Sequence, residues 1–170
     1  DATDLALALA GTINHAGAIT VTDTAYTVAE LTAIAGGTSG QITFSDNTIA
    51  LSGDATDLAT IFGENLAAVH EGAITVTDTA YTVAELKAIA GGTSGQITFT
   101  DNTIALSGDA TDLATIFGEN LAAVHEGAIT VTDTAYTVAE LKAIAGGTDG
   151  QITFSDNCLL YTSPSPRDNR

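Results

Sequence analysis

One histidine recurs at each period of this chain, at His15, His70 and His125, and the last two are followed directly by an acid, Glu71 and Glu126. An imidazole beside a carboxylate is raw material for a metal centre or a general base, but both roles need a further group within reach. The spacing withholds it. Equivalent histidines lie 55 residues apart, and with two turns of chain per period and strands about 4.8 Å apart they sit about 10 Å from one another, too far to share an ion. No Ser, Cys and acid arrangement accompanies them, so no catalytic residue is assigned and the chain reads as a non-enzyme. Each histidine is expected as a polar residue at a helix end, where it suits the dipole.

Aspartates form the second recurring set: Asp23, Asp46, Asp78, Asp101, Asp133 and Asp156 follow segments that alternate apolar and polar residues. Stacked as a ladder, such carboxylates repel, and a bridging Ca²⁺ held by carboxylate and carbonyl oxygens is one remedy. The favoured reading is local: each Asp accepts hydrogen bonds from its own turn backbone while water and salt screen the rest. No cofactor is therefore assigned, and calcium is the one metal these residues raise. Asp54, Asp57, Asp109 and Asp112 read as helix caps.

Hydroxyls form the third set. Thr20 and Thr22, Thr43 and Ser45, Thr75 and Thr77, Thr98 and Thr100, Thr130 and Thr132, and Thr153 and Ser155 occupy the polar positions of the alternating segments. On stacked strands they would form two ordered files, spaced about 4.8 Å between turns and about 6.7 Å within a pair. A flat grid of hydroxyl and methyl groups suits an ordered surface such as ice. The plainer account is that Thr is favoured on the solvated face of any strand.

The elements that must position these groups are written in a repeat. Residues 17–71 and 72–126 differ only at Thr32 against Lys87 and Ser45 against Thr100; a third copy runs from 127 to 157 and is cut short, and residues 1–16 read as the end of an earlier copy. A period of this size points to units that each bury an apolar face against their neighbours. Within a unit, Ala18–Asp23 and Gln41–Asp46 predict half-buried strands with Ile19, Val21, Ile42 and Phe44 inward. The chain thus holds six equivalent strands, starting alternately 23 and 32 residues apart, and Thr48–Leu51 offers a short additional one. Thr27-Val-Ala-Glu30 predicts a capping box opening a helix along Val28, Leu31 and Ile34, with Gly36-Gly37 as a stop that permits positive φ. Asp54-Ala-Thr-Asp57 opens a second helix whose apolar stripe runs through Leu58, Ile61, Phe62, Leu66 and Val69, with a break or kink at Gly63. Alternating strands and helices with short linkers predict an α/β repeat solenoid of parallel strands in one sheet, with short helices on one side. The alternative is an all-β helix with the Val28 and Leu58 segments as loops.

Cys158–Arg170 break the repeat, and back-translation of this segment resembles the adapter of a transposase-based short-read library. It is excluded from fold reasoning, and the chain is read as a piece of a longer metagenomic gene. The exclusion removes the only Cys, both Pro and both Arg, and moves the net charge from −17 to −18. A chain this acidic repels phosphate backbones and anionic lipid, so nucleic acid is not an expected partner. The longest apolar stretch, Leu5–Ala10, is far from the roughly 20 residues that span a bilayer. The expected partners are neighbouring repeats of the same chain and an ordered surface or cell-surface ligand.

The pairing of Ile19-Thr-Val-Thr-Asp-Thr24 with Ser52-Gly-Asp-Ala-Thr-Asp-Leu58 resembles tandem repeats of very large bacterial secreted and cell-surface proteins, including cyanobacterial ones, and the resemblance covers residues 1–157. It implies an extracellular or cell-surface location and a structural or adhesive role, with no catalytic residue. Some such proteins carry calcium-binding nonapeptides, from which Gly36–Phe44 departs in its glycine spacing and in Gln41 where Asp is wanted. The threonine files resemble the ice-binding faces of β-solenoid antifreeze proteins, which implies ice as an alternative ligand beside a Ca-linked rod.

Overall fold

The computed structural model describes residues 1–11, 14–63, 66–118 and 120–155; Asp156 and the segment read as adapter-derived lie outside the described residues. The protein is α/β. Its helices are α1 (Ala2–Leu9), α2 (Val28–Gly37), α3 (Ala55–Phe62), α4 (Val83–Gly92), α5 (Ala110–Gly118) and α6 (Val138–Gly147). Its strands are β1 (Ile19–Val21), β2 (Ile42–Phe44), β3 (Leu51–Gly53), β4 (Ile74–Val76), β5 (Ile97–Phe99), β6 (Leu106–Gly108), β7 (Ile129–Val131) and β8 (Ile152–Phe154). The all-β alternative fails at the segments it required to be loops, which are helices.

The helices begin where side chains can satisfy the free amides of a first turn. The Thr27 hydroxyl accepts from the Glu30 amide at 3.3 Å while the Glu30 carboxylate accepts from the Thr27 amide at 2.9 Å, and the same box forms at Thr82 with Glu85 and Thr137 with Glu140. Asp54 caps α3 by accepting from the Asp57 amide at 2.8 Å. The expected break at Gly63 is its C-cap, so Leu66 and Val69 leave the helix. The expectation for Gly36-Gly37 needs correction: among the described residues, only Gly11 among the glycines has a positive φ, 138°. Gly92, the counterpart of Gly37, is required by close approach, since a Cβ there would lie 2.7 Å from that of Phe62.

Among the described residues all strand pairs are parallel, and they form three short sheets, β1-β2, β3-β4-β5 and β6-β7-β8. A single continuous sheet is therefore not what forms. The 32-residue interval between Ile42 and Ile74 contains β3. That added strand takes the edge of β4, pairing Leu51 with Ile74. The outer edge of β2 goes to Leu66, with the Ala67 amide donating to the Ile42 carbonyl at 2.8 Å. Each unit thus closes one ladder and opens another.

The helices pack in chain order, each on the next from α1 to α6. Between them and the inward face of the strands lies a core of Ile34, Leu58, Ile74, Ile89, Leu113 and Ile129, all inaccessible to water. The alternation read from sequence is what buries Ile19 and Val21 while leaving Thr20 outside. No helix among the described residues is long and apolar enough to cross a membrane.

Candidate functional site

The hydroxyl residues lie on the strand faces as expected, but in a different pattern. Thr20 stands beside Thr43; Ser52, Thr75 and Thr98 form a second run; Ser107, Thr130 and Thr153 form a third. The expected inner file of six is cut at each change of sheet, because β2 and β4 are not neighbours. Ser52 and Ser107 belong to the runs and escaped the sequence reading. Their 23-residue distance from Thr75 and Thr130 is the signal that could have found them. The outer hydroxyls Thr22, Ser45, Thr77, Thr100, Thr132 and Ser155 sit one residue past a strand end and are exposed. Their amides extend the ladders: Ser45 donates to the Val21 carbonyl, Thr77 to Gly53 and Thr100 to Val76, each at 2.9 Å. Thr43, Thr75 and Thr130 are half-buried. The arrangement offers separate hydroxyl patches rather than one flat grid.

The aspartates divide into two structural roles. The Asp46 carboxylate accepts from the amide and hydroxyl of Thr48 at 3.0 and 2.7 Å, and Asp101 does the same with Thr103. The hydroxyl foremost, with the amide, holds both carboxylates below their usual range. Here the turn reading describes the bonds formed. Asp23, Asp78 and Asp133 instead reach back to the start of a helix, accepting from the amides of Ala2, Ala55 and Ala110 at 2.5, 2.7 and 2.7 Å. One carboxylate therefore ties the end of a strand to a helix some 23 residues earlier, a long-range bond that spacing within a turn does not reveal. At the start of α3, burial first and the carboxylates of Asp54 and Asp78 after it push Asp57 up. Among the described residues, no group of three or more His, Cys, Asp and Glu is disposed to hold a metal ion. Asp156 lies outside them.

The histidines are the largest correction. His15 is exposed, but His70 and His125 are fully buried, and α3 ends at Phe62, well before His70. They are core residues, not helix ends. Each continues a ladder, His70 bridging to Thr93 and His125 to Thr148. The ring Nε2 of His70 lies 2.8 Å from the Ile49 carbonyl, and that of His125 equally from Ile104. A carbonyl can only accept, so Nε2 carries the proton and donates. The bare Nδ1 of each ring is buried with no hydrogen-bond partner. Aromatic neighbours enclose it: Phe62 has its centroid 5.6 Å from the His70 ring, and Phe44 stands edge-on at 6.2 Å. Burial pushes both imidazoles below the ordinary histidine range, outweighing the carbonyl bond and the carboxylates of Asp46 and Glu71, or of Asp101 and Glu126. A neutral imidazole locked in one tautomer and sealed from solvent does not serve as a general base to an external substrate.

Two surface hollows of about 340 and 290 Å³ recur at matching places, the first lined by Phe62, Leu66, Val69 and the backbone of Gly91 and Gly92, the second by Phe117, Leu121, Val124 and Gly146 to Gly147. Among the described residues, Asn120 supplies the only polar side chain in either lining, and none of those lining residues carries a nucleophile or an ionisable group. No family model matches this chain, and no curated protein or solved structure matches it.

Proposed function

We propose that this chain is a non-enzymatic structural segment of a long extracellular or cell-surface bacterial protein, an α/β solenoid with its helices along one side. Its role is reach and surface display. The observation that carries the reading is the recurrence of identical joins between successive turns. Leu51 pairs with Ile74 as Leu106 pairs with Ile129. The Thr56 hydroxyl donates to Glu85 as that of Thr111 donates to Glu140, at 2.7 and 2.9 Å. A stack held by repeated nearest-neighbour joins grows by adding units without a new core. Adhesion to an ordered surface or cell-surface ligand would fall to the exposed hydroxyl patches.

The test is small-angle X-ray scattering on chains carrying two, three and four complete units. A solenoid lengthens by a constant step per unit, about 10 to 20 Å, bounded by two strand spacings and two helix diameters. A maximum dimension that grows only as the cube root of mass overturns the reading.

A further inference from the structure

One join departs from the recurrence. Residues 17–71 and 72–126 differ at two positions, of which only Thr32 against Lys87 lies in a helix. The backbones around that position are set alike: a Cβ on Gly53 would lie 2.9 Å from Val28, and one on Gly108 the same distance from Val83. The α2–α3 and α4–α5 joins are therefore one packing with one side chain exchanged.

In the α4–α5 join the Lys87 ammonium pairs with the Asp112 carboxylate. In the α2–α3 join Thr32 turns back on its own helix, its hydroxyl donating to the Val28 carbonyl at 2.9 Å. Asp57, the counterpart of Asp112, has no cation against it among the described residues. Burial, and then the charges of Asp54 at the cap of α3 and Asp78 just past β4, act against its ionised form. The half-buried carboxylate is thus paired in one join and crowded by like charge in the other.

We propose that the α2–α3 join is a built-in seam that opens more readily than the α4–α5 join, because Thr32 leaves Asp57 without the cation that Lys87 brings to Asp112. The residue at this one helix position sets how firmly a turn is held to the next, and a stack of otherwise equal units acquires a place to yield. The seam lies within one chain and stands whether or not the stack serves as a rod.

Native-state amide exchange followed by NMR reads the two joins separately. Its reporters are Leu58 and Leu113, whose amides donate to the Asp54 and Asp109 carbonyls in the first turns of α3 and α5, each at 3.1 Å. At about 0.01 M salt, where charges act over about 30 Å, Leu58 should exchange about threefold faster than Leu113, the reach of one exposed ion pair. About 1 M salt should narrow the gap. Thr32→Lys should slow Leu58 about threefold relative to Thr32→Gln, which matches its helix propensity without the charge. Asp57→Asn and Asp112→Asn are the same change in the same local sequence, and Asp112→Asn should loosen its join about threefold more. Equal slowing by Thr32→Lys and Thr32→Gln, or equal loosening by the two Asn variants, overturns the proposal, as does a Leu113 that exchanges at least as fast as Leu58 in the unaltered chain. Far-UV circular dichroism of each variant confirms that folded chains are being compared.

Discussion

Acidification should unfold this protein through His70 and His125 before its capping carboxylates titrate. Each buried ring donates Nε2–H to a carbonyl and leaves Nδ1 without a partner, so a second proton would place a charge in the core with no acceptor for it. The unfolded chain has no such restriction and takes up protons at the ordinary histidine pKa of about 6.5. With the folded pKa depressed, the unfolded state binds more protons below that pH, and stability falls as pH falls. Two buried sites give a limiting slope of about 2.7 kcal/mol per pH unit, against a typical domain stability of about 5 to 15 kcal/mol. One unit of pH is then a large fraction of the whole. Urea unfolding followed by far-UV circular dichroism, from pH 7.5 to about 5, measures the slope. The double variant His70→Gln, His125→Gln keeps an amide donor for the carbonyls but cannot take up the proton, and should flatten the dependence. A slope that the double variant leaves unchanged would refute the argument.

Adjacent glycines should respond in opposite directions: Gly92→Ala drives a Cβ against Phe62 and should cost about 1 to 3 kcal/mol. Gly91→Ala meets nothing within 4 Å and should gain about 0.5 to 1 kcal/mol of helix stability, with thermal melts reading both. Tyr81 donates its hydroxyl to the Asp101 carbonyl at 2.7 Å, and burial, then Asp101, pushes its pKa up to about 12. Because the folded pKa lies above the ordinary value near 10, its contribution is complete below that value and disappears as pH rises toward 12. Tyr81→Phe should cost about 1 kcal/mol at neutral pH and reduce the alkaline loss in denaturant melts. Since the described strand-end aspartates are engaged by hydroxyls and amides, calcium and then chelator should leave the melting temperature within about a degree, whereas a fall of several degrees on chelation would restore the Ca-linked rod.

The helix starts were legible because a capping box is a local device: Thr27 and Glu30 find each other within one turn whatever the rest of the chain does. The six alternating strands were legible for the same reason, as period two needs only one buried face. What escaped was pairing. The sequence offers an additional strand at Thr48–Leu51; it forms at Leu51–Gly53, where it displaces β2 as the partner of β4 and divides one expected sheet into three. That decision depends on which edge is nearer after the chain has travelled 23 residues, a distance over which local propensity is silent. The histidines failed likewise. A polar residue near a predicted helix end looks solvated, and only the surrounding Phe44 and Phe62, remote in sequence, make it part of the core. Thr20, Thr43, Thr75, Thr98, Thr130 and Thr153 take strand positions that the alternation assigns, but they are divided among three sheets, because one file requires continuous pairing. Asp23, Asp78 and Asp133 were found as a set, but their helix partners lie 21 to 23 residues away.

The identical joins also bear on how such a gene can change. Removing residues 72–126 in frame connects Glu71 to Gly127 and leaves β3 facing β7, so Leu51 meets Ile129 through the contact it formerly made with Ile74. The Thr56 hydroxyl would find Glu140 where it had found Glu85. No side chain is asked to accommodate a new neighbour. Gain or loss of whole units is then expected to preserve the contacts of each join, so that length can vary while the local packing is kept.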